Sequence, residues 1–251
     1  MHIDFSDDMR QAFVITRNEI KKFMSGKKIF LFGILLTLVI VLNAAMPYLL
    51  GGGYDYPIEV AKNFLGMIDL LIILAAVMFA ATTIVSEYEE RTVLILLTRP
   101  VRKWVIFIGK LIASFAIVSV FMAIMYVFTA VYSVAVTGSV VGEIGTSFGL
   151  CLCAVFGVCG FAMLLSTIAK KSSTASIMTL VLLILVLAII GSLLQEQGID
   201  TSWLLISAMG SIYRVLSGIP IDSLVYDAGV MIGWGVVCTA VGLILFKKRD
   251  L

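Results

Sequence analysis

Residues 106–136 read IFIGKLIASFAIVSVFMAIMYVFTAVYSVAV, thirty-one positions whose one charged side chain, Lys110, stands near the start. A hydrocarbon core roughly 30 Å thick is crossed by about 20 helical residues. This run is therefore long enough to project beyond a bilayer or to tilt strongly within it. It lacks the period-2 alternation of a barrel strand, and an open strand in lipid would leave its backbone groups unpaired. It is a membrane-spanning helix.

Working outward, five further apolar runs meet the same criterion, at 29–50, 65–85, 148–168, 177–194 and 224–246. The whole chain of 251 residues is 61% hydrophobic and 14% charged, and its mean hydropathy is +1.11. A soluble domain carries about a quarter charged residues, so this chain has about half the usual means of wetting a surface. The composition excludes a nucleic-acid binder, a secreted disulfide scaffold and a soluble enzyme. The fold class it predicts is an all-α polytopic membrane protein of six spans.

Lysine and arginine set the expected orientation. Sixteen of the eighteen basic residues fall on one side: in the segment before the first span, around the loop between spans two and three, at Lys170 and Lys171, and after span six. Only Lys62 and Arg214 fall on the other. Both termini are thus expected in the cytoplasm, which an even number of spans allows. The chain divides into a cytoplasmic segment 1–28, a membrane domain 29–246 and a tail 247–251. No cleavable signal is expected, because the first apolar run has full spanning length.

Three stretches outside the spans carry information. At 100° per residue, Met9, Ala12, Phe13, Thr16, Ile20, Phe23 and Met24 share one arc, flanked by Arg10, Arg17 and Lys21. That pattern predicts an amphipathic helix lying along the interface with its cations toward anionic lipid. Residues 86–103 read SEYEERTVLILLTRPVRK. Acids open this segment, Arg99 stands near its end as the helix dipole prefers, and Pro100 ends the helical stretch. It is a short helix of about 87–98 with a charged and an apolar side, suited to lie under the bilayer or to dock in a groove of a cytosolic protein. On the other side, 195–223 is too apolar for a solvated loop and predicts short interfacial helices.

Chemistry of its own is hard to find in the chain. Gly109-Lys110 is followed by leucine and Gly26-Lys27 by lysine, and neither is preceded by the glycine of a phosphate-binding loop. One histidine, His2, rules out a metalloprotease helix, and Cys151, Cys153, Cys159 and Cys238 all lie in spans without CxxC spacing. No cofactor or metal is expected on this chain. Asp69 and Asp227, besides Lys110, are the ionisable residues within spans, and each is a candidate for lining a substrate pathway. Such sparse intramembrane charge argues for an energy source in another chain. The pairs Ala76/Ala80, Gly145/Gly149 and Gly229/Gly233 mark expected places of close helix approach.

IVSEYEERTVLILLTRPVRKWVIFIGKLIAS, residues 84–114, resembles the signature of type-2 ATP-binding-cassette (ABC) exporter permeases. The acidic stretch Glu87–Glu90, Thr92, the leucine-rich block, Arg99-Pro100 and Gly109-Lys110 carry the resemblance, as do the six spans and SIYRVLSG at 211–218. The proline that often precedes the last motif is absent here. The resemblance implies a permease subunit driven by a separate cytosolic ATPase dimer, which would hold ATP and Mg. It also implies a second permease copy or close relative, in the cell membrane of a prokaryote. The helix at 87–98 would be the coupling helix, with Glu87, Glu90, Arg91, Thr92, Leu96, Leu97, Arg99 and Pro100 meeting the ATPase. Two other functions fit the fold: a mechanical transmitter acting on an outer-side partner, and a self-sufficient carrier or channel.

Overall fold

The structure, a computed structural model, describes residues 5–49, 51–89, 102–217 and 221–248. Among these, every regular element is helical, and six helices are long and apolar enough to cross a membrane. The helix α1 (Phe5–Ser25) joins α2 (Lys27–Leu49) through Gly26 alone. Next come α3 (Pro57–Leu65), α4 (Ile68–Phe79) and the single turn α5 (Val85–Glu89). The longest helix, α6 (Lys103–Thr137), has 35 residues and so extends about 50 Å at 1.5 Å per residue. It stops at Gly138, whose φ of 78° is the left-handed conformation that closes a helix end. Then follow α7 (Ile144–Ile168) and α8 (Ser172–Glu196), the latter widened to a π-helix over Val181–Val186. Short helices α9 (Leu205–Met209) and α10 (Ser211–Arg214) lead to α11 (Ile221–Lys248).

The second span departs from its expected limits of 65–85. It runs Pro57–Phe79, as α3 and α4 broken at Gly66 and Met67, and the chain turns over 80–84 before α5. Proline at the first helical position suits α3, and Glu59 Oε2 accepts the Asp55 backbone N–H at 3.1 Å. Glu59, Lys62 and Asn63 lower the local hydropathy of α3, yet Val60, Ala61, Phe64 and Leu65 are buried. Conversely, Ala80, Ala81, Ile84 and Val85 prolong the apolar run because protein, not lipid, covers them.

Around Phe79 the core joins four helices. Its ring lies 5.5 Å from Phe23 of α1, 6.0 Å from Phe32 of α2 and 5.8 Å from Phe121 of α6, centroid to centroid. The most extensive helix pairing is α7 with α11. A Cβ at Gly160 would lie 2.7 Å from the Gly235 carbonyl oxygen, and one at Gly157 2.8 Å from that of Met231. Backbone therefore meets backbone, as small residues permit in membranes. Of the expected close-approach pairs, Ala76 and Ala80 are fully buried. Gly145, Gly149, Gly229 and Gly233 instead lie on outward faces, with nothing within 4 Å of a Cβ built on any of them. Four-residue spacing marks a smooth stripe, not the helix that covers it.

The short helices α9 and α10 are more deeply packed than the interfacial helices expected at 195–223. Leu205, Ala208, Met209 and Ile212 are all at most 1% exposed. By contrast α2 buries Phe32 and Leu36, and α8 buries Ala175, Thr179 and Leu183, so both present broad apolar faces outward.

Candidate functional site

The stretch that links α4 to α5 abandons regular helix geometry, and its carbonyl groups need other donors. Ser114 Oγ of α6 donates to the Phe79 carbonyl at 3.1 Å, and Thr83 Oγ1 donates to the same oxygen. The Ser166 hydroxyl of α7 accepts the Ile84 and Val85 backbone N–H groups at 3.2 and 3.1 Å. Lys110 Nζ donates to the Thr83 carbonyl at 3.3 Å. The turn is thus held by polar side chains of two neighbouring spans.

Lys110 is the centre of this arrangement. The residue is 1% exposed, and its ammonium lies 2.6 Å from Glu19 Oε1 of α1 and 2.5 Å from Glu87 Oε1 of α5. A charge so buried persists only when paired and hydrogen-bonded. Burial pushes the Glu87 carboxyl above its ordinary range, against the pull of the Lys110 ammonium.

Two more fastenings lie along the same side of α1. Asp8 Oδ2 accepts from Arg102 Nη1 at 2.9 Å, and Thr16 Oγ1 donates to the Gly109 carbonyl at 3.0 Å. A Cβ at Gly109 would lie 3.0 Å from the Ala12 carbonyl oxygen and 3.0 Å from the Ile15 side chain, so glycine there lets α1 and α6 touch. The expected apolar arc of α1 is consequently divided. Ala12, Thr16 and Phe23 turn inward with Asp8 and Glu19, whereas Met9, Phe13 and Met24 are 57%, 70% and 59% exposed.

At the end of α5, Glu89 Oε2 accepts the backbone N–H of Ser172 at 3.0 Å and its hydroxyl at 2.6 Å. These hydrogen bonds hold the exposed Glu89 carboxyl below its ordinary range. Lys103 Nζ donates to the Lys247 carbonyl at 3.2 Å, which ties α6 to the end of α11. The ends of α1, α5, α6, α8 and α11 therefore gather at one end of the bundle.

Of the residues expected to meet a partner, Glu87 is turned inward and is 5% exposed, so its side chain is not offered to solvent. Its carboxylate is paired with Lys110, toward which the turn at 80–84 rotates it. Glu90, Arg91, Thr92, Leu96, Leu97, Arg99 and Pro100 lie outside the described residues. The two membrane aspartates occupy separate settings. Asp69 is the second residue of α4, within electrostatic range of Tyr126 and Cys151, and its Oδ1 is buried without a hydrogen-bond partner among the described residues. It stands twelve residues into the broken span. Beside it, Tyr126 and Ser147 share a 2.8 Å hydrogen bond, and Ser147 donates to the Ile212 carbonyl at 2.8 Å. Asp227 Oδ2 instead accepts from Arg214 Nη2 at 3.2 Å in a 310 Å³ pocket lined also by Asp200, Ser202, Ser207 and Tyr226.

Glu19 and Thr16 emerge only from the fold. Their signal is weak but present: Asp8, Ala12, Thr16, Glu19 and Phe23 recur at three- and four-residue intervals, a single helical face with a polar middle.

Among the described residues, a helical bundle of six apolar spans with an inward-turned amphipathic helix defines a polytopic membrane protein. The family described as ABC-2 family transporter protein matches residues 13–251, nearly the whole chain, and the chain belongs to it. It is an ABC transporter membrane permease, and members of this family work with ABC ATPase subunits. No curated protein matches the chain.

Proposed function

We propose that this permease is the membrane subunit of an exporter in a prokaryotic cell membrane, with both termini in the cytoplasm. A separate cytosolic ATPase dimer, holding ATP and Mg, drives it, and a second permease copy or a close relative completes the pathway. The segment 87–98 is the coupling helix. Glu90, Arg91 and Arg99 supply charged contacts to the ATPase, Leu96 and Leu97 fill its groove, and Thr92 and Pro100 shape the segment.

The observation that carries this reading is the anchoring of α5. The helix from which the segment departs is fixed by Glu87 to Lys110 and by Ile84 and Val85 to Ser166. Force applied beyond Glu89 thus enters the bundle through α6 and α7, not through a slack loop. A transmitter acting on an outer-side partner is less well supported, since Leu205, Ala208, Met209 and Ile212 are turned into the permease itself.

The test is recovery of the tagged chain from native membranes in mild detergent, wild type beside Glu90→Arg, with mass spectrometry of what accompanies it. A P-loop ATPase with wild type, depleted in the variant, is the expected result. Equal recovery with both would move the contact away from Glu90, and recovery with neither would remove the ATP-driven reading.

A further inference from the structure

We infer that Lys110 is a positioning residue that makes α1 part of the transmission path, so that α1 moves with α5 and the start of α6 and carries α2 with it. The inference rests on the coupling reading above.

One carboxylate would neutralise Lys110, yet two reach it, from separate elements, at 2.6 and 2.5 Å. The second adds desolvation and repulsion between carboxylates. What it supplies in return is a tether, Glu19 for α1 and Glu87 for α5. The same face of α1 is fastened twice more, at Asp8 to Arg102 and at Thr16 to the Gly109 carbonyl. A helix that merely floated in the interface would need none of these. The consequence reaches α2, because Gly26 alone separates it from α1 and its buried contact is confined to Phe32 and Leu36. Lys28 Nζ, donating to Thr82 Oγ1 at 2.7 Å, fixes the start of α2 to the same turn. A stroke delivered at α5 therefore has a rigid route through Lys110 into α1 and onward to the loosely packed first span.

The test is hydrogen exchange with mass spectrometry on the permease–ATPase complex, without nucleotide and after trapping with MgATP and vanadate. In the wild type, trapping changes exchange in α1 and α2. In Glu19→Gln, which leaves the Lys110–Glu87 pair intact, ATP hydrolysis continues and the α1–α2 response is lost, while the response of α7 stays. The triple variant Lys110→Met, Glu19→Gln, Glu87→Gln removes the whole ion cluster without stranding a buried charge, and should lose the same response. Glu19→Gln that responds like the wild type overturns the inference. So does Glu19→Gln that folds but no longer holds the ATPase, since Glu19 would then be a docking residue. If the wild type brings down no ATPase, the exporter reading has failed instead, and the tether is tested on the permease alone. There Glu19→Gln must raise exchange in α1 and leave α6 unchanged, or the tether is absent.

Discussion

Lys110 shows how one residue fixes the relation of three helices. Removal of one member of a buried ion cluster strands the others in a low dielectric, at about 3–5 kcal/mol. Lys110→Met should destabilise the permease by about that much, read as a large fall in the unfolding temperature in detergent. The triple neutral variant should recover most of the loss; an equally large fall there would mean that shape, not charge, is at issue. Glu89 provides a pH-dependent contribution of the opposite kind. Hydrogen bonds from Ser172 lower its folded-state pKa, so the folded protein binds this proton less readily than the unfolded chain. Its contribution is complete above the ordinary glutamate value and is lost as pH falls through the lowered one. The difference in unfolding temperature between wild type and Glu89→Ala should shrink as pH falls from neutral toward 3, and a difference independent of pH would sink the assignment.

At the scale of elements, the α7–α11 pairing depends on missing side chains. Gly160→Leu must push apart two backbones already in contact and should cost at least about 1–3 kcal/mol, the usual penalty of overpacking. Gly233→Leu, on an outward face, should leave the unfolding temperature nearly unchanged. Comparing the two variants in one detergent checks both. The helices show where hydropathy succeeds and where it stops. Spans α2, α6, α7, α8 and α11 lie within a few residues of their expected ends, because lipid imposes one requirement on every residue of a run. The second span is misplaced by hydropathy, since α3 buries only one face and 80–84 is covered by protein. In α1, a count of apolar residues missed Glu19, because a carboxylate joins a buried face only when another helix brings a lysine to it.

For the molecule as a whole, the placing of sixteen of the eighteen basic residues in sequence segments on one side of the expected spans predicts how it sits in the bilayer. Single cysteines at Lys171 and Asp55, in a background lacking the four native cysteines, should react with an impermeant maleimide from opposite sides in intact cells and inverted vesicles. Asp55→Cys should be labelled from outside, and labelling of both from one side would contradict the six-span topology. α2 and α8 present broad outward faces, and two spans with so few buried residues suit the paired assembly proposed for the permease.

By itself the sequence determined the membrane class, the number of spans, the charge asymmetry and the resemblance that family membership upholds. Each of these follows from local chemistry: the length of an apolar run, the distribution of cations, a contiguous motif. Only the tertiary structure decided that Glu87 is buried against Lys110, that Glu19 faces the same ammonium, and that Gly160 rather than Gly149 meets a neighbouring backbone. Those facts depend on which faces of distant helices are brought together, and one-dimensional periodicity shows a face without showing what covers it.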